Sequence, residues 1–267
     1  MSQPDQRAGI YNRLHEDQLA RDRESNAFSA EQFFDIALAN FNVTSMLDVG
    51  CGIGTWMAIA QKRGIKVAGV EGPWCEVGKL EIDKSLVTIT DLEQPIDLKR
   101  KFDLAISLEV GEHLSAVASP HLVKTLTSHA DHVIFSAAIP FQGGSHHINE
   151  QYLGFWVDLF AQNGYVVIDL FRGHLWEDTR VHWWLRQNAV LFVRAEAVEA
   201  NPKLKAESLV VRPVNIIHPE YYQMRVTHEF KQIDQLQNSI RLISEGKARL
   251  RETQYGTVVE IIDPNVG

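Results

Sequence analysis

The residues with the most chemistry in them lie around one glycine-rich turn, in Met46-Leu47-Asp48-Val49-Gly50-Cys51-Gly52-Ile53-Gly54-Thr55-Trp56. An apolar run leads into glycines spaced GxGxG, and a helical pattern follows. Glycines in such a turn let a ligand approach the backbone with no Cβ in the way. The spacing departs from the GxGxxG dinucleotide fingerprint, because position 55 is threonine. Asp48 also puts a carboxylate where a pyrophosphate would be repelled. A negative group there suits a ligand carrying an ammonium and a sulfonium. No GKS or GKT follows, so a P-loop is unsupported.

Two further acids end later apolar runs. Glu71 follows Val67–Val70, 21 residues after Gly50, and there an acid can accept hydrogen bonds from both hydroxyls of a ribose. Asp91 follows Leu86–Thr90 and could accept from an adenine amino group, with Leu92 against the adenine face. Asp48, Gly50, Gly52, Glu71, Asp91 and Leu92 are therefore the expected cofactor contacts. Thr55 and Trp56 join them from the first helical turn, and Glu109 from the end of the fourth run.

A reacting acceptor needs alignment, and a hydroxyl also benefits from a base or a metal ion. Two clusters offer one. Glu109, Glu112 and His113 are spaced so that a helical turn would bring them together. His146 and His147 precede Asn149 and Glu150, after the flexible Pro140-Phe141-Gln142-Gly143-Gly144 segment. In one reading His113, His146 or His147 is a general base, a role neutral imidazole fills near pH 7. In another, Glu109, Glu112, His113 and His147 ligate a divalent ion. In a third these residues are structural; Asn149, for one, can cap the helix containing Tyr152, Phe155, Trp156 and Phe160. A third aromatic and basic group, Trp176, Arg180, His182, Trp183, Trp184 and Arg186, suits a sugar or planar acceptor, or else packs on a sheet.

The elements that must hold these residues repeat as apolar run, turn and amphipathic helix. Runs at Ser45–Val49, Lys66–Val70, Ser85–Ile89, Leu104–Leu108, His132–Ser136, Tyr165–Leu170 and Asn188–Arg194 predict seven strands. The first five read as parallel, with helical crossovers on both faces, and the close spacing of the last two predicts one antiparallel edge. The predicted fold is α/β, a doubly wound, mostly parallel, seven-stranded sheet with a C-terminal helical extension. Residues 1–28 read as a polar arm with Tyr11 and Leu14 as anchors. Residues 29–199 read as the ligand-binding domain, entered through a Ser29/Gln32 capping box and a helix ending near Asn42. Residues 200–267 read as a mainly helical extension: a polar linker NPKLKAES, an extended Leu209–Ile217, and a helix from Pro219 to about Gly246. Val226, Phe230, Ile233, Gln237, Ile240 and Ile243 form a seam on that helix, which packs on the main domain or joins two chains as a homodimer.

The 267 residues are 45% hydrophobic, enough for a sizeable core. The net charge of −8 opposes binding to a polyanion such as nucleic acid. No run of 18 apolar residues predicts a membrane span. Two cysteines make no disulfide framework and fit a reducing, cytoplasmic setting.

The series LDVGCGIG, VAGVEG, ITDLEQP and FDLAISLEVGEHL resembles motifs one to four of class I S-adenosylmethionine-dependent methyltransferases, across roughly residues 30–195. The resemblance implies that Asp48, Gly50 and Gly52 line the methionine moiety, Glu71 the ribose, and Asp91 and Leu92 the adenine. The ExxEH and HxxE elements resemble those of small-RNA terminal 2′-O-methyltransferases, which use a metal ion. The stretch from PFQGGSHHINEQY to RVHWWLRQN resembles bacterial methyltransferases encoded with glycan-assembly genes. The expected activity is O-methylation of a sugar hydroxyl or another small polar metabolite. The alternatives are a metal-dependent RNA ribose methyltransferase and a non-catalytic cofactor-binding module.

Overall fold

The computed structural model describes residues 16–210, 212–253 and 256–262, with side chains from residue 23 onward. Contacts divide the chain into two compact units, 1–216 and 217–267. Tyr11 and Leu14 lie outside the described residues.

Unit one opens with α1 (Glu16–Asn40), followed by β1 (Ser45–Val49), α2 (Thr55–Lys62), β2 (Lys66–Glu71), β3 (Val87–Ile89) and β4 (Leu104–Leu108). Then come α3 (Ser119–His129), β5 (His132–Ser136), α4 (Leu153–Ala161), β6 (Tyr165–Ile168), α5 (Arg172–Leu175), α6 (Trp183–Asn188), β7 (Val190–Arg194), α7 (Ala195–Ala200) and α8 (Pro202–Ser208). The seven strands form one sheet in the order β3-β2-β1-β4-β5-β7-β6. All pairs are parallel except those made by β7, which is antiparallel to both β5 and β6.

Both sheet faces are covered, so the strands alternate between two cores rather than between core and water. Met46, Leu104 and Ile106 point into one cluster with Phe33, Phe34 and Phe171; Leu47, Ala105 and Phe135 point into the other with Trp156 and Phe160. The strand order reverses between β1 and β4, which is where open α/β sheets bind ligands. Helix α2 starts right there. Gly54 at its N-cap has φ +85°, and the helix closes on Gly64 with paired bonds from Gly64 N to Gln61 O and from Ile65 N to Ala60 O.

Several expectations are corrected. The antiparallel strand is not the edge: β7 slots between β5 and β6, because the chain returns from the β6 edge through α5 and α6. No helix covers the crossovers into and out of β3; Val77–Lys79 and Lys84–Leu86 are single 3₁₀ turns. Ser29 caps nothing, since α1 already runs through it and its hydroxyl bonds back to Ser25 O at 2.7 Å. The segment read as an arm up to residue 28 thus merges with the first domain helix. The segment NPKLKAES is helical, not a linker: Asn201 caps α8 by accepting from Lys203 and Leu204, and Leu204 is fully buried in the core. That places residues 200–216 with unit one. Leu209–Ile217 has no strand among its described residues.

Unit two holds α9 (Pro219–Ser244) and a hairpin of β8 (Ala248–Thr253) and β9 (Gly256–Ile261) that the sequence pattern did not reveal. Pro219 starts α9 as expected, behind His218, which accepts from Glu220 N. The seam residues Phe230, Ile233, Gln237 and Ile240 are exposed. Among the described residues no helix is long and apolar enough to cross a membrane.

Candidate functional site

A cavity of about 400 Å³ opens at the β1/β4 crevice. Its floor is the turn that follows β1. Gly50 N and Cys51 N both donate to Val70 O, tying the turn to the end of β2. Gly50 has φ +81°, and a Cβ there would stand 2.4 Å from Val110 Cγ2. Gly52 has φ +56° and nothing within 4 Å of the place a Cβ would take. One glycine is demanded by packing beneath the turn; the other keeps the space above it open.

Asp48, Gly50, Gly52, Thr55, Trp56, Glu71 and Glu109, the residues expected to contact a cofactor, all line this cavity. Asp48 is buried, and desolvation together with the charge of Glu71 holds its carboxyl well above the usual range. Burial raises Glu71 too, opposed by bonds from the backbone of Gly72 and Gly52 and from the Trp74 indole. Thr55 Oγ1 donates to Glu81 at 2.8 Å, and Glu81 pairs with Arg23 at 3.3 Å. Trp56 packs edge-on against Phe33 and Phe34, with ring centres 5.5 and 5.9 Å apart.

Asp91 and Leu92 do not line the cavity. Asp91 is exposed and accepts from Glu93 N at 3.0 Å; Leu92 is buried in the core. None of the three histidines lines it either. His146 is exposed, with φ +60°. His113 and His147 meet ring to ring at 4.9 Å, nearly perpendicular, and their donor atoms lie with those of Glu112 inside a 4.8 Å group. His147 Nδ1 bonds Glu150 at 2.9 Å. Glu112 is fully buried, neither of its oxygens has a hydrogen-bond partner, and burial plus the neighbouring Glu109 push its carboxyl well above the usual range. Glu109 is outside this group. Its oxygens accept instead from Asn188 and Gln142, at 3.2 and 2.9 Å. The spacing of Glu109 and Glu112 reads as one helical turn; Glu109 has φ +54° and the helical piece is only Gly111–His113, so the two acids are neighbours without a shared helix. Asn149 caps no helix. It is buried and donates to Gly111 O and Ser119 Oγ.

Sequence reasoning missed Arg23 and Asn26 on α1, Trp74 and Lys79 after β2, and Leu185 on α6, all on the cavity wall. Trp74 had a local signal: it follows Glu71 by three residues, and its ring lies where a Cβ on Gly72 would sit. Arg23 had none, because its helix is distant in sequence. Of the aromatic and basic group, Trp184 lines the cavity, stacked on His182 at 4.1 Å. Arg180 instead covers Phe28, and Arg186 is buried and donates to Val181 O and Trp176 O.

The pocket fits S-adenosylmethionine. Two buried acids face a space with an open glycine floor, and no cationic side chain contributes to the state of Asp48. A ligand with an ammonium and a sulfonium brings positive charge next to these two acids. Glu71 and the Trp74 indole offer polar partners to a ribose.

Comparison with known proteins agrees. Residues 11–200 match the family model of a methyltransferase domain. The ubiquinone biosynthesis O-methyltransferase of Rhodopseudomonas palustris (strain TIE-1) is 32% identical over 79 residues, 28% of this chain and 31% of that protein. The chain thus aligns with about a third of that relative's length. The sugar N-methyltransferase KedS8 from Streptoalloteichus sp ATCC 53650 shares the fold at 17% identity and a TM-score of 0.52, over 68% of this chain and 93% of that one. The magnesium protoporphyrin IX methyltransferase of Synechocystis PCC 6803, solved with bound SAH, aligns at 18% identity and a TM-score of 0.47, over 68% and 89%. With a family model spanning most of its length and a cofactor cradle to match, the chain belongs to the methyltransferase-domain family and is a class I S-adenosylmethionine-dependent methyltransferase.

Proposed function

We propose that this methyltransferase acts on a hydroxyl of a sugar or another small polar metabolite. The observation that carries the reading is the part of the cavity lining supplied by the end of β4 and by α6: Leu108, Glu109, Trp184 and Leu185. Apolar and aromatic surface with a single carboxylate suits a sugar ring held by its face and oriented by one hydroxyl. When bound, the cofactor supplies an electrophilic methyl group. The chain's own residues align it: Asp48 and the glycine turn take the methionine end, Glu71 the ribose, and Arg23 the carboxylate. The O-methyltransferase relative supports an oxygen acceptor. The net charge of −8 counts against a nucleic acid.

A second reading rests on Glu112, His113 and His147, whose clustering suits a divalent ion and an RNA ribose acceptor. Transfer of a labelled methyl group to nucleotide sugars or glycans, undiminished after EDTA, supports the first reading. Label on RNA ends alone, abolished by EDTA and restored by a divalent metal, would replace it with the second.

A further inference from the structure

Glu109 is the acid that reaches the cavity from β4, and its surroundings are unusually well specified. Its backbone is left-handed at φ +54°, a conformation that residues with a Cβ rarely keep without support. The support is visible: Glu109 N donates to Ser136 O at 3.0 Å and lies 3.2 Å from Ser136 Oγ. Its carboxylate is then held from both sides by amide donors. Asn188 Nδ2 donates to Oε1 at 3.2 Å, and Gln142 Nε2 to Oε2 at 2.9 Å.

The direction of these bonds is fixed by the next contacts out. Ile139 N, which can only donate, bonds Gln142 Oε1 at 3.2 Å, so the Gln142 nitrogen must face Glu109. Asn188 Nδ2 also donates to Gln142 Oε1 at 2.9 Å, and Gln187 Nε2 to Asn188 Oδ1 at 2.9 Å. The three carboxamides therefore form one chain that ends on the carboxylate. They come from the 140–144 loop and from the end of α6, so the network joins segments far apart in sequence.

We infer that Glu109 is the acceptor-orienting residue at the reactive end of the cavity, and that Gln142 and Asn188 are the positioning residues that aim it. This rests on the reading of the cavity as a cofactor and acceptor site. The Ser136 side chain and the buried Glu112 also reach this carboxylate, and it is the part of it that lines the cavity that would accept an acceptor O–H. A fixed carboxylate on the same cavity also favours the sulfonium of the substrate cofactor over the neutral thioether of the product. Burial raises the Glu109 carboxyl above its usual range, opposed in part by bonds from Ser136, Asn188 and Gln142.

The test needs no acceptor. Dissociation constants for S-adenosylmethionine, S-adenosylhomocysteine and sinefungin, which carries an amine in place of the sulfonium, are measured by titration calorimetry. Wild type is compared with Glu109→Gln, Glu109→Asp, Gln142→Ala and Glu71→Ala. Glu109→Gln is expected to reduce the preference for the two cationic ligands over the thioether by about 5-fold. Glu109→Asp retains that preference, and Gln142→Ala lowers it by a smaller factor. An unchanged preference in both Glu109→Gln and Gln142→Ala, with thermal melts like wild type, overturns the inference. Should Glu71→Ala bind all three ligands as wild type does, the cofactor reading beneath it fails instead.

Discussion

The Glu71 side chain is bonded to the backbone of Gly52: Oε2 accepts its N–H at 2.6 Å, while Oε1 accepts from Gly72 N at 2.7 Å. One carboxylate at the end of β2 thereby latches the turn after β1 and holds the start of the loop after its own strand. A ribose at this site meets a carboxylate that is already oriented. Charge-assisted bonds of this kind are among the stronger polar interactions in proteins.

Glu71→Ala is accordingly expected to weaken S-adenosylmethionine binding by about 10-fold or more, close to 1.4 kcal/mol or above. The loss combines ribose contacts with a loosened turn. Glu71→Gln retains one acceptor but presents an N–H to a backbone donor, so it should recover only part of the affinity. Titration calorimetry on both variants measures this; wild-type affinity in Glu71→Ala would remove Glu71 from the site.

The two turn glycines should fail differently. Gly50→Ala drives a Cβ into Val110 and forces a left-handed alanine, so a stability loss of about 2–4 kcal/mol is expected. Gly52→Ala meets no atom of the protein and should cost about 1 kcal/mol, the backbone strain alone. Its Cβ enters the space reserved for the ligand, so binding falls while the fold survives. Chemical denaturation paired with cofactor titration separates the cases.

Asp48 makes binding pH-linked. Its folded carboxyl titrates above its unfolded value, so between the two the folded state holds the extra proton. Stability without cofactor therefore declines as pH rises through that window. A cationic ligand favours the ionised form and expels the proton. Calorimetry in buffers of different ionisation enthalpy should show proton release on binding S-adenosylmethionine, less with S-adenosylhomocysteine, and none from this source in Asp48→Asn.

The seam on α9 is proposed as a homodimer contact. Phe230, Ile233 and Ile240 are exposed at helical spacing, and a two-stranded hairpin such as β8–β9 is marginal alone. Sedimentation should give twice the monomer mass for wild type and a monomer for Phe230→Asp with Ile240→Asp. A wild-type monomer at high micromolar concentration would end the proposal.

The cavity residues that follow β1 and β2 were legible because strand ends are readable from local apolar runs, although Asp91 and Leu92, read the same way after β3, do not line the cavity. Asp48, Gly50, Gly52 and Glu71 needed nothing from elsewhere in the chain. Arg23, Gln142 and Asn188 were not legible, since Arg23 reaches the cavity and the two amides reach Glu109 through tertiary packing that leaves no spacing pattern, whereas Trp184 was legible as one of an aromatic group. Glu109 and Glu112 are neighbours as their spacing suggests, but not on one helical turn, because Glu109 itself is left-handed and only Gly111–His113 is helical. The hairpin after α9 stayed hidden because its strands are mostly exposed, without the apolar runs that marked the sheet strands. Position in the sheet is equally silent: the pattern found β6 and β7 but not that β7 threads inside.

That threading dictates an order of events during synthesis. Among the described residues β6 pairs with the sheet only through β7, so residues 165–168 have no described strand to join until residues 190–194 have left the ribosome. The nascent chain must carry an orphan strand for some twenty residues of elongation, and any truncation ahead of Val190 strands it permanently.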